Sequence, residues 1–340
     1  ATKPTASILR DFSAPVVLEK DSTNAERAFL LAHDTDPFNK WEAGQELRRA
    51  SLISMITTGT APDSAFLSAA SLVARDDSLD PAFRALVLQP ISQDDLAQSL
   101  ADIGHTPDPW AINEASNTMA QCLAQNLADS LPRLYADTSV TGPYSPDAVS
   151  AGKRALNMRV LYLLTRMDGG AQARKQYAAA DNMTQQMAAL NALLNEDMGA
   201  AEVEAFYQQW QGDRLVMDKW FMIQAGSSLP NTLEQVKALQ SHESFDPANP
   251  NKIRSLIGRF VNANPVNFHH ESGEGYQFLA DYVIDLDTRN PQVASRLVRA
   301  LAKWQQFEPA RSALMKASLQ RIHEQSGISN DVFEIVDKSL

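Results

Sequence analysis

Hydrophobic residues recur at spacings of three and four along almost the whole chain after Asn24. The pattern is clear in two long segments, at Trp41, Leu47, Ala50, Ile53 and Ile56, and again at Leu156, Val160, Leu163 and Leu164. This spacing places apolar side chains along one face of an α-helix. The pattern therefore predicts an all-α protein.

Short segments that contain Gly or Pro interrupt the helical pattern at 60–63, 104–107, 141–143 and 169–170. Helices joined by such short turns usually pack as antiparallel neighbours. A strict repeat of 34 or 40 residues is not evident, so a regular TPR or HEAT array is not indicated. We expect an irregular α-solenoid, a superhelix of antiparallel helix pairs, over residues 21–340.

The first 20 residues read differently from the rest of the chain. Two short β-prone runs, 7–9 and 14–18, are separated by polar residues and carry Pro15. Their composition predicts one or two edge strands, and such strands need a sheet supplied from elsewhere. We therefore expect residues 1–20 to be the last strand or strands of an upstream domain, and the chain to be a piece of a longer protein.

Two helix starts are specified by Asn-Pro pairs, and each is followed by an arginine. Asn249-Pro250 precedes Arg254, and Asn290-Pro291 precedes Gln292 and Arg296. Asn accepts a hydrogen bond from a free backbone N–H, while Pro at the first helical position loses none and already has the right φ. Both starts should fix the direction of the side chains that follow.

The helix after Pro250 carries an apolar stripe formed by Ile253, Leu256, Ile257, Phe260 and Val261. Spacing places Arg254 on or beside this stripe, whereas Lys252 and Arg259 should reach water. A guanidinium near an apolar stripe requires a partner. Two interpretations stay open from the residues alone. One is an ion pair with an acidic residue at 281, 285 or 287, and the other is a cavity that receives Arg254.

The helix after Pro291 is amphipathic. Val293, Leu297, Ala300 and Leu301 should pack, and the opposite stripe carries Gln292, Arg296, Arg299 and Lys303. A charged helix face is ordinarily solvated surface. The turn 268–270 and Tyr276 lie between the two arginine helices in sequence, which makes them candidates for lining the same cavity.

Composition excludes several classes of protein. A formal net charge of −11 disfavours nucleic-acid binding, and no apolar run approaches the roughly 18 residues of a membrane span. Cys122 is the only cysteine, which fits a reducing compartment, and no signal-peptide pattern is visible. The expected location is the cytoplasm.

The motifs of hydrolytic chemistry are missing from the sequence. His242-Glu243 and His270-Glu271 each lack the second histidine of a zinc-peptidase H-E-x-x-H helix. The sequence contains no G-x-S-x-G, phosphate loop or G-x-G-x-x-G either. We therefore expect no catalytic residue, metal site or cofactor in this chain.

Several runs resemble the C-terminal domain of bacterial aminopeptidase N, a zinc exopeptidase of the M1 type. The matching runs are SAPV at 13–16, 38–41, 181–184, RLVMDKWF at 214–221, NPNKIRSLIG at 249–258, NPVNFH at 264–269, GEGYQFL at 273–279 and RNPQVASRL at 289–297. The resemblance implies that residues 1–20 complete a β-sandwich domain, and that the helical domain caps the catalytic domain and restricts access to its chamber.

The same resemblance implies three substrate-binding residues. Gln292 would shape the pocket for the N-terminal side chain, while Arg254 and Arg296 would attract carbonyls or the carboxylate of the departing peptide. One zinc ion would sit in the parent enzyme's catalytic domain. The partners would be that domain, the β-sandwich domain and peptide substrates, and this chain alone would be inactive.

A free-standing helical scaffold that binds another protein is the competing hypothesis, because solenoids commonly bind partners along an extended face. The β-prone opening of the chain favours the enzyme-domain hypothesis.

Overall fold

The computed structural model describes residues 4–16 and 18–340, and nearly all of the regular structure in this part is helical. The first ten helices are α1 Asn24–His33, α2 Pro37–Thr58, α3 Ser64–Arg75, α4 Pro81–Leu88, α5 Gln93–Asp102, α6 Pro109–Leu127, α7 Leu131–Thr138, α8 Ala148–Asp168, α9 Ala171–Ala179 and α10 Met183–Asn195. The remainder are α11 Ala200–Trp210, α12 Arg214–Ala225, α13 Thr232–Leu239, α14 Pro250–Ile253, α15 Arg259–Ala263, α16 Pro265–Phe268, α17 Glu274–Asp287, α18 Pro291–Val298, α19 Pro309–His323 and α20 Asn330–Ser339.

Polar caps explain where many of these helices begin. Thr23 forms a full capping box with Glu26, and Asp36, Asp63 and Asp147 each accept a hydrogen bond from a backbone N–H of the first turn. Such caps satisfy donors that have no partner within the helix. Consecutive helices then pack together, as α1 does on α2, α9 on α10 and α17 on α18. The prediction of an all-α solenoid-type fold built from paired helices is confirmed.

The chain forms two compact units, and neither is a single continuous stretch. The first comprises the described residues within 1–99 together with 111–196, and the second comprises 100–110 together with 197–340. In the first unit α8 is the central helix, because it packs on α4, α7, α9 and α10 and buries Leu156, Val160 and Leu161 completely.

The core of the second unit is rich in aromatic residues. Phe260 on α15 makes edge contacts with Phe268 on α16 and Phe278 on α17, with ring centroids 6.1 and 5.9 Å apart. Phe268 also contacts Tyr276, and Phe260, Phe268 and Tyr276 are all fully buried. These rings join α15, α16 and α17, and α17 in turn supports α18.

The edge strands expected near the N-terminus are absent from described residues 4–16 and 18–20. Arg10–Phe12 form a short 3-10 turn instead, and Leu9, Asp11 and Phe12 have φ values of 57°, 52° and 55°. This left-handed backbone cannot continue a strand. Arg10 holds the turn in place by bonding to Asp34 and Thr35. Val17, part of the second β-prone run, lies outside the described residues, and pairing of residues 1–20 with another domain stays a prediction.

None of the helices in the described residues has both the length and the apolar character that a membrane span requires.

Candidate functional site

Arg254 follows a helix start that is built as the sequence predicts. The Asn249 side chain accepts a hydrogen bond from the Asn251 N–H at 2.9 Å, and Pro250 occupies the first turn. Arg254 is exposed, and its guanidinium donates to the Asn251 side chain at 3.2 Å. The helix start therefore fixes the backbone position of Arg254, while its guanidinium is exposed to solvent in this unit.

A π-helical turn, Arg254–Gly258, interrupts the helix between α14 and α15. The Arg259 N–H donates to the Arg254 carbonyl, five residues earlier, so the turn holds one more residue than an α-helical turn. Beyond this turn the register is shifted, which places Arg259 and Asn262 on the exposed side together with Arg254. The predicted apolar stripe is confirmed, since all five of its residues are buried.

The expected exposure of Lys252 is wrong. Lys252 is buried, with 3% of its surface exposed, whereas Arg254 does not lie in the apolar core. The Lys252 ammonium lies 2.8 Å from Asp218 on α12, donates to the Arg214 carbonyl at 2.9 Å, and sits 5.4 Å from the centre of the Phe221 ring. These partners neutralise and solvate the charge, so Lys252 can be buried where its spacing predicted water.

Gln292 and Arg296 lie one turn apart on the exposed face of α18. The Asn290 side chain accepts a hydrogen bond from the Val293 N–H at 3.2 Å, and Pro291 follows as predicted. Val293, Ala294, Leu297 and Val298 form the buried face. Both Gln292 and Arg296 are exposed, and within the part of the chain that the structure describes neither side chain has a hydrogen-bond or ion-pair partner.

The acidic residues considered as partners for Arg254 are engaged elsewhere. Asp281 pairs with Arg321, and Asp285 pairs with Arg289. The Asp287 carboxylate is buried and accepts hydrogen bonds from the backbone N–H and the hydroxyl of Ser329 at 2.7 and 2.5 Å. No ion pair of Arg254 occurs among the described residues, so the structural-pair interpretation has no support here.

The Phe268 and Tyr276 side chains belong to the core, where both are fully buried. His269 Nδ1 lies 3.0 Å from the Tyr276 hydroxyl, and Arg311 donates to the His269 carbonyl at 2.6 Å. Burial, with the nearby charges of Arg311 and Lys303, lowers the pKa of His269 to about 3. The imidazole is therefore neutral at physiological pH. His270 is exposed and contacts Ser272.

A cavity of about 410 Å³, which was not predicted from the sequence, lies beside the start of α14. Its wall includes Tyr207, Met217, Glu243 and Lys252. The Tyr207 hydroxyl donates to Glu243 at 2.5 Å, and Lys252 is paired with Asp218. The wall also contains Arg214 and Asp246, which lie 3.9 Å apart, so each charged side chain of the wall has a polar or oppositely charged partner.

The exposed side chains of Arg254, Gln292 and Arg296 are chemically suited to bind an anionic or carbonyl-bearing ligand. Arginine forms strong bonds with carboxylates and carbonyl oxygens, and glutamine can both donate and accept. Within residues 4–16 and 18–340 no group of three or more His, Cys, Asp or Glu side chains is arranged to hold a metal ion.

Comparison with known proteins places these observations in a family. Residues 24–340 match the model of a domain of unknown function, DUF3458_C, described as ARM repeats. Three curated relatives named aminopeptidase N each match over 348 residues that include 99% of this chain and 39% of the relative. They come from Caulobacter vibrioides (37% identical), Escherichia coli K12 (34%) and Haemophilus influenzae (35%).

A solved structure agrees with these matches. The crystal structure of Legionella pneumophila aminopeptidase A in complex with aspartic acid superposes with a TM-score of 0.87 at 30% identity, covering 99% of this chain and 41% of that one. The chain spans about two fifths of the length of the relatives that it matches. This chain therefore belongs to the DUF3458_C family of ARM-repeat domains and corresponds to the C-terminal helical domain of aminopeptidase N-like enzymes.

Proposed function

We propose that this chain is the substrate-contacting cap of a zinc aminopeptidase that removes residues from the N-termini of peptides. In this proposal the helical domain covers the catalytic domain, restricts access to the active-site chamber, and supplies Arg254, Gln292 and Arg296 as peptide contacts. The catalytic zinc and the residues of hydrolysis belong to the catalytic domain. The enzyme acts in the cytoplasm, and residues 1–20 join the preceding β-sandwich domain.

One observation carries the proposal. Two helices started by Asn-Pro pairs each present an exposed arginine that has no ion pair within the described residues. Long cationic side chains normally gain from pairing with a nearby carboxylate, and this domain carries an excess of acidic residues. Arginines that stay unpaired in an acidic domain are available to a ligand.

The π-turn at Arg254 gives independent support. Such turns are rare, and they occur frequently at functional sites because they change the direction of the residues beside them. Here the turn begins at the arginine that the resemblance to aminopeptidase N assigns to peptide binding. The turn aligns the exposed side of the helix on both sides of Gly258, so Arg254 has a defined base from which to reach a peptide.

The proposal is tested by Arg254→Ala and Arg296→Ala in the complete enzyme. Each substitution removes a charge-assisted contact worth about 1 to 2 kcal/mol, so kcat/KM for a tetrapeptide should fall about 5- to 30-fold. An aminoacyl p-nitroanilide lacks the downstream peptide, and its turnover should change little. Gln292→Ala should instead alter the relative rates for substrates that differ in the N-terminal side chain.

Lys219→Ala provides a matched control, because Lys219 is an exposed cation of the same unit outside the proposed site. Its tetrapeptide turnover should equal that of the unmodified enzyme. If both arginine variants keep their kcat/KM for the tetrapeptide, the two side chains do not contact the substrate.

The scaffold hypothesis makes a different prediction about the native protein. A free-standing scaffold would have a mass near the 37.4 kDa of this chain in its source cell. The enzyme proposal requires a much larger polypeptide, as the relatives have. Immunoblotting of a cell extract with an antibody against this domain distinguishes the two.

A further inference from the structure

A row of cations on and after α18 extends beyond the residues assigned to peptide binding. Arg296, Arg299 and Lys303 follow one another at steps of three and four residues, and all three are exposed. We call these three residues the α18 strip. Arg299 ends the helix and Lys303 lies in the turn that follows, so the row continues past the last helical turn.

Among the described residues, no acidic side chain of the neighbouring helices forms an ion pair with the strip. α18 packs on α17 and α20. On α17, Asp281 pairs with Arg321 and Asp285 pairs with Arg289. The Asp287 carboxylate accepts a hydrogen bond from the Ser329 hydroxyl. On α20, Glu334 pairs with Lys338 and Asp337 with His323.

No member of the strip forms an ion pair within residues 4–16 and 18–340. The chain as a whole has 41 acidic and 30 basic residues. The three exposed cations of the strip have no counter-charge among the described residues, although acidic residues outnumber basic ones in the chain. The strip is therefore a local positive region that an anion can reach.

Two further basic side chains follow Lys303 on α19. Arg311 has 12% of its side chain exposed, and Lys316 lies 4.9 Å from the centre of the Trp304 ring. Arg311 is held by Asp108 and Glu308 at 3.3 and 3.1 Å, so its charge is balanced locally. Burial is the main cause of the low pKa of His269, and the charges of Arg311 and Lys303 add to it.

We propose that Arg299 and Lys303 of the α18 strip bind carboxylate groups of the peptide beyond its first residues, and that these two cations give the enzyme a preference for peptides that carry negative charge there. Guanidinium and ammonium groups pair with carboxylates, and a row of three cations can follow an extended peptide. The inference rests on the proposed function, because Arg296 is its inner end. The carboxylate comes either from an Asp or Glu side chain or from the peptide's own C-terminus.

The test compares matched peptides in the complete enzyme. One pair, Ala-Ala-Gly-Asp-amide and Ala-Ala-Gly-Asn-amide, differs only in a side-chain carboxylate. The other, Ala-Ala-Gly-Asn as the free acid and as the amide, differs only in the terminal carboxylate. Exposed ion pairs contribute about 0.2 to 1 kcal/mol each, so two cations should give about a 2- to 30-fold preference for the charged member of a pair, expressed in KM.

The double variant Arg299→Gln/Lys303→Gln should abolish the preference and leave kcat for the uncharged peptides unchanged. Lys219→Gln/Lys237→Gln is the matched control, since it removes two exposed cations of the same unit that lie outside the strip. The control should retain the preference. Raising the salt concentration should weaken the preference in the unmodified enzyme and have no effect on the double variant.

The outcomes separate this inference from the proposed function. If Arg254→Ala and Arg296→Ala impair peptide turnover but the unmodified enzyme treats both members of each pair alike, the strip proposal is overturned and the cap function stands. A preference that survives in the Arg299/Lys303 variant also overturns it. Loss of the first pair's preference alone identifies side-chain carboxylates as the ligand, and loss of the second alone identifies the C-terminus.

Discussion

Lys252 and Arg254 lie two positions apart on one helix, yet their environments are opposite. Lys252 is buried beside Asp218, and Arg254 is exposed. The Lys252–Asp218 contact is a close ion pair, although its geometry is not that of an aligned hydrogen bond. Asp218 is 34 positions earlier in the chain, so helical spacing around Lys252 could not reveal the partner that makes its burial favourable.

Removal of one member of this pair should destabilise the second unit. Asp218→Asn leaves the buried ammonium without its counter-charge, and the free energy of unfolding should fall by about 2 to 4 kcal/mol. The double variant Lys252→Met/Asp218→Leu replaces the pair with apolar groups and should lose much less. Urea denaturation followed by circular dichroism measures both. Equal losses in the two variants would contradict the assignment of the cost to an unpaired charge.

His269 should make stability depend on pH. Its pKa is about 3 in the folded chain and about 6.5 in an unfolded one, so below pH 6.5 the unfolded state takes up a proton that the folded state does not. This contribution is constant above pH 6.5 and destabilises the fold increasingly as the pH falls toward 3. Between pH 7.5 and 5.5 the loss should be about 1.4 kcal/mol.

His269→Gln removes this titration, and the comparison isolates it from the other histidines. The variant's free energy of unfolding should change by about 1.4 kcal/mol less than that of the original chain between the two pH values. Parallel pH profiles for the two proteins would show that His269 titrates normally in the fold.

At the scale of the element, the sequence predicted where helices begin better than how they turn. Asn249 and Asn290 each accept the capping hydrogen bond that their positions indicated. The π-turn Arg254–Gly258 was not predicted, because five residues are too few to show a change of helical period. The expected edge strands are absent from described residues 4–16 and 18–20. Because β-prone residues form a strand only beside a partner, their pairing with another domain stays a prediction.

Two helical glycines of the second unit should respond oppositely to alanine. A Cβ on Gly275 would lie 2.3 Å from the Phe268 carbonyl oxygen, so Gly275→Ala must push α17 away from α16. A loss of roughly 2 to 4 kcal/mol is expected from this backbone clash. At Gly258 the nearest atoms are 3.7 Å away, and Gly258→Ala should be neutral or stabilise by up to about 1 kcal/mol. Thermal unfolding of both variants checks the contrast, and a stable Gly275→Ala protein would contradict the close approach.

At the scale of the whole molecule, the runs that resemble a known family predicted more than helical periodicity did. Helical periodicity alone supported the fold class, and the scaffold hypothesis was equally compatible with it. The runs around Asn249, Asn264 and Arg289 indicated the aminopeptidase N relationship, which the comparisons confirm. The division into two units was not predicted, because contacts between residues far apart in sequence define it.

The chain by itself should neither bind zinc nor cleave peptides. The proposal assigns both properties to a catalytic domain that lies outside this sequence. Metal analysis of the purified chain should find far less than one zinc per molecule, and incubation with alanine p-nitroanilide should release no product. Stoichiometric zinc together with cleavage would place an active site within these residues.

The second unit recruits residues 100–110 from between two stretches of the first. Asp108 within this excursion forms an ion pair with Arg311, which also holds the His269 carbonyl. A polypeptide that starts at residue 197 would therefore lack a piece of its own fold and leave Arg311 without that carboxylate. The two halves cannot be separated by a single cut in the chain, and a nick near residue 105 would affect the stability of helices that lie 200 residues further along.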